Sequence, residues 1–403
     1  MTRLLSATDR TPRQYLPDPS TLIDMVRAAG LRGRGGAWFP LATKLAAVAG
    51  ASGRRGAAVV ANGVESEPAS QKDHTLLARA PHLVLDGLAL AAHAVAAHEA
   101  VLCVRPADPL LPGLRAAIAE RADPVPVRLA EVPDRFVASE ETALVNFLNT
   151  GDARPTGRPP VARADARLPP KGLRGRPTLV SNVETLAHLA LVGRCGPDWF
   201  RSVGVPSAPG TALVTVGGAV ARPGVYEIAL GMTVGDLLGV AGGAEPAAAV
   251  LVGGFGGTWL AMPGAGELRL APDELAAAGA SLGVGLVLAL PARVCGLAVS
   301  ARIVRYLAGE SARQCGPCMF GLPALAEDLD ALAGGRPVDL VRLGRRVGLV
   351  RGRGACRHPD GAVRQAASAL SVFAHDVAAH AAGRPCGGVV SDPGFPIPLL
   401  GVR

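Results

Sequence analysis

The sequence predicts an α/β domain with a mainly parallel sheet, followed by a small β-grasp domain and a C-terminal helical bundle. Three observations carry this. Between residues 57 and 150, apolar runs of strand length alternate with segments of helical period, as when parallel strands are joined by crossover helices. Over 212–252 the order becomes strand, strand, short helix, strand, which reads as a β-grasp module. Beyond residue 292 the pattern is entirely helical. A chain of 403 residues holds two or three domains, each large enough to bury a core. Composition shifts place them at 1–206, 207–292 and 293–386, with a tail at 387–403.

Hydrophobic residues at 49% with 18% charged residues indicate a globular protein rather than a disordered one. The net charge of +8 would suit an anionic partner, but only three of the 41 basic residues are lysines. That bias reads as genome composition. With aromatics at 3% and no basic block between them, nucleic acid is not an expected partner. The polar start of the chain carries Asp9, Arg10 and Pro12 and no apolar core of a signal peptide. No uncharged apolar run reaches the roughly 18 residues of a membrane span, and 284–291 is a short buried strand. Seven cysteines, an odd and uneven set, speak for reduced thiols, some of them metal ligands. The expected compartment is the cytoplasm.

In chain order, a helix over 20–29 opened by Asp18 and Ser20 leads into a Gly-rich stretch at 30–40. Helical period resumes over 41–48. A strand at 57–61 runs into a loop holding Asn62, Glu65 and Glu67, the layout of a ligand loop at the carboxyl end of a parallel strand. A long helix over 81–99, with His93 and His98 as ordinary helical histidines, precedes a strand at 101–104. A helix at 111–121, a strand at 125–129 and a helix at 139–148 follow. Residues 150–177 are rich in Pro, Arg and Gly and form a long irregular loop, and 178–185 opens a helix to about Val192. Strands at 212–216 and 220–225 form a hairpin turned by Arg222-Pro223-Gly224. A helix at 234–240 after Thr233 and a strand at 250–252 complete the module. Helices at 297–307, 322–332, 338–350 and 362–382 make the bundle.

The chemistry-bearing stretches are few. Gly30, Gly33, Gly35 and Gly36, with Arg32 and Arg34, let backbone N–H groups approach a ligand closely, and a phosphate before a helix suits them. An ordinary Gly-rich connection is the plain alternative. Lys44 and Lys72 fall just after two of these loops, in a chain that otherwise uses arginine, as if a slim point charge were needed. Glu140 and Glu141, and Asn182 with Thr185, stand at two helix starts, where capping alone would explain them. Cys315-Gly316-Pro317-Cys318, with Cys356 from another helix, offers a soft-metal or iron–sulfur site. A thioredoxin-type pair would want a βαβ context, and plain core cysteines remain open. Cys103 and Cys195 read as structural.

Taken together, these motifs resemble the NADH-binding flavoprotein subunit of respiratory complex I, a type also found in NAD-dependent formate dehydrogenases and hydrogenases. Gly33-Arg34-Gly35-Gly36-Ala37, Phe39-Pro40 and Lys44 resemble its flavin loop. Asn62 with Glu65-Ser66-Glu67-Pro68 and Lys72-Asp73 resembles a second motif, Glu140-Glu141-Thr142 a third, and Val180 with Asn182-Val183-Glu184-Thr185 a fourth. Glu310-Ser311, Cys315, Cys318 and Cys356 resemble the cluster-binding region, and the match runs in one order through most of 20–385.

The resemblance implies an α/β flavin domain, a soluble-ligand-binding β-grasp domain and a bundle holding a 4Fe–4S cluster. It implies that FMN takes hydride from NADH and passes single electrons to the cluster. Gly33, Arg34, Gly35, Gly36, Lys44, Asn62, Glu65, Glu140, Glu141, Val180, Asn182 and Thr185 would hold FMN. Phe39 would stack on the nicotinamide side and Glu67 would lie near the nucleotide. Cys315, Cys318 and Cys356 would bind the cluster. Ala312 stands where the family has its first cysteine, leaving a 3Fe–4S cluster, a 4Fe–4S cluster with a ligand borrowed from Cys295 or Cys386, or none. Trp38, Val64 and Ser139 also depart from the pattern on the nucleotide side, and Arg158 stands as a charge partner for the nucleotide. The expected function is an oxidoreductase component moving electrons from NADH, or another donor, to a ferredoxin-like or complex-subunit partner. A binding or assembly protein that kept the fold, or a ferredoxin-linked flavoprotein, are the alternatives.

Overall fold

The computed structural model describes residues 3–6, 18–157, 172–243, 245–384, 386–388 and 392–399. They fall into two compact units: Met1–Ser66 with Gln71–Leu213 and Glu227–Gly231, and Glu67–Ser70 with Val214–Tyr226 and Met232–Arg403.

The first unit is a four-stranded parallel sheet with helices around it. Its elements are α1 (Pro19–Ala29), α2 (Leu41–Ala51), β1 (Ala57–Asn62), α3 (Lys72–Arg79), α4 (Pro81–Ala94), β2 (Ala97–Val104), α5 (Leu111–Ala119), β3 (Val127–Glu131), α6 (Glu141–Thr150), β4 (Thr178–Asn182) and α7 (Val183–Arg201). The strand order is β3-β2-β1-β4, every pair parallel. β1 and the end of β2 are apolar and buried on both faces, as parallel strands covered by helices must be. Asp18 starts α1 by accepting from the N–H groups of Ser20 and Thr21. α4 and α7 approach so closely at Gly87 that a Cβ there would sit 1.8 Å from the Leu186 carbonyl oxygen.

Several elements of this unit differ from the sequence-based expectation. The helix expected over 81–99 ends at Ala94, because Ala96 turns the chain with φ 50°. His98 therefore lies on a strand, exposed, not on a helix. Residues 178–182 are a strand rather than a helix start, and α7 continues past Val192 to Arg201 through a kink at Gly196 and Pro197. Helix α3 has no counterpart in the sequence pattern; its apolar positions are only Leu76, Leu77 and Ala78, too few to show a period.

A two-residue pair, β5 (Gly204–Val205) and β6 (Ala208–Pro209), closes the first unit. The second sheet holds β7 (Thr211–Gly218), β8 (Gly224–Ala229), β9 (Ala247–Val252), β10 (Thr258–Ala261) and β11 (Leu286–Pro291), in the order β10-β9-β11-β7-β8, with α8 (Val234–Val240) and α9 (Pro272–Ala277). Thr233 caps α8 through Asp236 N–H, as expected, and β11 is wholly buried. The second strand of the hairpin starts at Gly224, so Arg222-Pro223 lies in the turn.

The bundle comprises α10 (Gly296–Gly309), α11 (Leu322–Ala333), α12 (Leu340–Val350), α13 (His358–Val372) and α14 (Ala374–Ala381). The single helix expected over 362–382 is two, broken at Phe373, and its first turn begins at His358. Among the described residues no single helix is long and apolar enough to cross a membrane.

Candidate functional site

Because β2 and β3 lie on one side of β1 and β4 on the other, the chain reverses its direction of growth between β1 and β4. In open α/β sheets that reversal leaves a crevice at the strands' carboxyl ends. Here it is flanked by two asparagines, since Asn62 pairs in register with Asn182. Asn182 also caps α7, accepting from Glu184 N–H at 3.0 Å, so a 19-residue helix points its N-terminus at the crevice.

The Gly-rich stretch lies over this junction. It is closed by an Arg32–Pro40 bridge and by Gly33 N–H donating to Phe39 O at 2.8 Å. A Cβ on Gly35 would press on Asn182 Cβ at 3.3 Å, whereas one on Gly36 would meet nothing within 4 Å. Gly35 is small so that the loop can rest on Asn182, and Gly36 borders open space. Arg34 N–H donates to Thr185 Oγ1 at 2.7 Å. Lys44 bridges Val180 O at 2.7 Å and Glu141 Oε2 at 3.2 Å, with its side chain 20% exposed. Asn62 Nδ2 donates to Ser139 O at 2.9 Å, which ties the strand-end loop to the turn before α6.

Several expected ligand residues also do local work. Glu140 caps α6 through Thr142 and Ala143 N–H. Glu65 is buried and accepts from Asp73 and His74 N–H, holding the start of α3. Glu67 falls in the second unit, where it accepts from Phe255 N–H at 3.0 Å. Phe39 is 40% exposed. Arg158 lies outside the described residues.

Arg34 is the clearest departure. Its guanidinium is 2% exposed and donates to Thr211 O and Arg32 O, so its charge is directed inward rather than to the loop surface. Beneath the loop it joins a buried set of charges. Lys72 Nζ lies 2.7 Å from Asp73 Oδ1 and 2.8 Å from Glu184 Oε2. Glu184 Oε1 lies 3.8 Å from Arg34 Nε and accepts from Leu213 N–H at 2.8 Å. Asn182 Nδ2 donates to Asp73 Oδ2 at 2.7 Å.

Burial alone would push the Glu184 carboxyl up, but Lys72 outweighs it and holds the group at about 2. For Asp73 burial wins, and its carboxyl rises to about 6 despite Lys72. Burial lowers Arg34 to about 10, and Lys72 is held above its ordinary value by the two carboxylates, which overcome its burial. Glu184 and Asp73 carry no side-chain role in the expected ligand set. The lysine at 72, a rare residue type in this chain, is the sequence signal that points to them.

Trp38, one of the departures from the resembled pattern, has a φ of 51°, a left-handed conformation that glycine adopts freely. The indole is 8% exposed and lies 4.7 Å from Arg34 Cζ, turned inward onto the guanidinium. Trp38→Gly would relieve strain of about 1 kcal/mol but remove a buried aromatic worth about 3–5 kcal/mol. It is expected to destabilise the first unit by about 2–4 kcal/mol, read as a lower urea midpoint; an unchanged or higher midpoint would contradict the inward packing.

In the bundle, Cys318 lies in a π-helical turn at Pro317–Gly321, a form often kept at functional positions. Cys318 and Cys356 are buried and Cys315 is half-buried. Burial first, then the neighbouring thiols of Cys315 and Cys356, push Cys318 up to about 12. Three thiols of this kind suit a soft-metal cluster. Ala312 adds no ligand. Cys295 and Cys386 instead form a separate group with His380.

Residues 26–191 match the Nuo51 FMN-binding domain, 213–258 the SLBB domain, and 298–380 the NADH-ubiquinone oxidoreductase-F iron-sulfur binding region. A flavin domain and an iron–sulfur region on one chain define a flavin- and iron–sulfur-dependent electron-transfer oxidoreductase. The F subunit of the NADH-quinone oxidoreductase of Streptomyces coelicolor is 32% identical over 387 residues, covering 91% of this chain and 84% of that protein. The F subunit of the Escherichia coli enzyme is 29% identical over 376 residues, covering 88% and 83%. The chain belongs to the family of NADH-quinone oxidoreductase F subunits. A crystal structure of an NAD+-reducing NiFe-hydrogenase in the H2-reduced state is similar with a TM-score of 0.85 and 32% identity, over 94% of this chain and 67% of that one.

Proposed function

We propose that this protein accepts electrons from NADH at FMN in its first unit and delivers them singly, through an iron–sulfur cluster, to a partner protein. The observation that carries the reading is the point of sheet reversal at Asn62 and Asn182, with the Gly-rich loop resting on Asn182 through Gly35. FMN, when bound, supplies the chemistry that joins two-electron hydride donors to one-electron acceptors. The residues fit it: open space over Gly36, the α7 N-terminus for the anionic end, and Lys44 as a half-buried cation. Gly33, Gly35, Asn62, Glu141, Val180, Asn182 and Thr185 shape and support that crevice, while Glu65 and Glu140 hold the helix starts that border it. Phe39, exposed at the end of the loop, offers a ring face to the nicotinamide.

Cys315, Cys318 and Cys356 hold the cluster, as a 3Fe–4S form or as a 4Fe–4S form with one iron lacking a cysteine. Met319 and Phe320, 51% and 71% exposed next to Cys318, supply an apolar surface where an electron-accepting partner docks. A division of labour at 1–206, 207–292 and 293–386 follows, with a cytoplasmic protein attached to a membrane complex through its partners. Ala312 favours one competing reading, a binding or assembly protein that has lost its redox chain.

Anaerobic purification, iron analysis and an absorption spectrum separate the two. Expected are a flavin band that NADH bleaches rapidly, and bound iron. Colourless, iron-free protein that takes up no FMN would overturn the proposal. Flavin bleached by reduced ferredoxin and not by NADH would move it to a ferredoxin-linked flavoprotein.

A further inference from the structure

Cys295, His380 and Cys386 bring their ligand atoms within 4.8 Å of one another, the one such His/Cys group among the described residues. None of the three has a role in the function proposed above. They come from three separate segments. Cys295 is the N-cap of α10, its sulfur 3.4 Å from Ala298 N–H. His380 is near the end of α14, with Nε2 3.7 Å from Cys295 Sγ. Cys386 is in the chain beyond that helix, its thiol 3.6 Å from Gly388 O. Cys295 and His380 are buried and Cys386 is half-buried.

The backbone is fitted to this meeting. A Cβ on Gly388 would lie 2.6 Å from Cys295 N, so only glycine lets the C-terminal segment press onto the start of α10. The segment then continues to Gly394, whose carbonyl oxygen accepts from Gly218 N–H at 3.1 Å in the second sheet.

We propose that Cys295, His380 and Cys386 form a zinc site, separate from the iron–sulfur ligands, that clips the C-terminal segment onto the bundle. The chemistry selects the metal. Two thiolates and an imidazole are borderline-soft donors that suit zinc, which accepts three protein ligands with water in the fourth position. As the ion binds, each thiol releases its proton to solvent, and the two thiolates balance the charge of Zn2+ beside a neutral imidazole. A single ion needs all its ligand atoms at one point, as here. A cubane spreads its cysteines over several irons, so the closeness of this group favours one ion over a share in the cluster. Joining residues 295 and 386 also closes a long loop, where a clip removes the most unfolded-state entropy.

The test uses full-length protein prepared anaerobically, with zinc and iron measured on the same sample. Expected is one zinc per chain, lost at least fivefold in Cys386→Ser and in His380→Ala, with iron unchanged in both. Cys318→Ala should show the reverse, losing iron and keeping zinc. Because a variant can fail to fold, wild-type protein stripped of zinc and titrated with Co2+ supplies a second readout. Expected is thiolate-to-cobalt charge-transfer absorption saturating at one equivalent, displaced by Zn2+. Wild type that stays zinc-free and gives no such band would overturn the proposal. So would zinc unchanged in both variants, a Cys295–Cys386 disulfide in the anaerobic protein, or iron lost in parallel with zinc. A negative result here leaves the flavin and iron–sulfur reading standing, since that depends on other residues.

Discussion

Cys318→Ala is expected to strip the chain of most of its iron, at least fivefold relative to wild type, with the flavin complement retained. Cys318 is the most deeply buried of the three thiols, 2% exposed within a π-helical turn, and Cys315 and Cys356 act on its charge. With Ala312 in place of a fourth cysteine, the set has no spare ligand, so losing one thiolate leaves two, too few for a cluster. The retained flavin is part of the prediction, because the residues proposed to hold FMN lie in the other compact unit. Iron content unchanged in the variant would refute the ligand assignment. Loss of both flavin and iron, with loss of helical circular dichroism, would instead mean that Cys318 serves the core.

Glu184→Gln is expected to cost about 3–5 kcal/mol of stability, because it leaves Lys72 and Arg34 buried without the carboxylate that faces them both. In a heating experiment the midpoint should fall by on the order of 10 °C. The pH dependence gives the sign. Glu184 is held at about 2, below its ordinary 4.5, so its contribution is fully present above pH 4.5 and is lost as pH falls toward 2. Asp73, raised by burial to about 6, acts oppositely: its contribution is present below 3.8 and is lost as pH rises through 6. The gap between wild type and Glu184→Gln should therefore close in acid and be widest near neutral pH. A gap below about 1 kcal/mol, or one that ignores pH, would show that the network does not hold the loop's foundation.

Much of this architecture was legible in the chain itself. Helix starts followed their caps: Asp18 at α1 and Thr233 at α8 are local hydrogen-bonding decisions, and local sequence suffices for them. The buried strand β11 is apolar throughout, so its environment is written in its residue types. The failures are equally physical. Residues 81–99 keep an Ala-rich pattern across a helix end made by one left-handed alanine, and nothing local announces such a turn. Residues 178–182 look alike as a strand or as a helix start, and only pairing with β1 decides between them.

By itself, the sequence determined the kinds of chemistry: a glycine loop for an anion, carboxylates and amides at strand ends, and three thiols in a helical region. Those follow from residue types at short spacing, which folding does not change. Tertiary structure alone decided direction and company. It turned Arg34 inward onto Glu184 and Thr211, and laid the Trp38 ring over it. It set Asn62 beside Asn182 at the point where the sheet reverses, and gathered Cys295, His380 and Cys386. Those partners are separated by as many as 150 residues or more, as Arg34 and Glu184 are, and no local pattern specifies which of many arginines, asparagines or cysteines will meet. Packing of buried apolar faces chooses them, and the polar contacts follow from that choice.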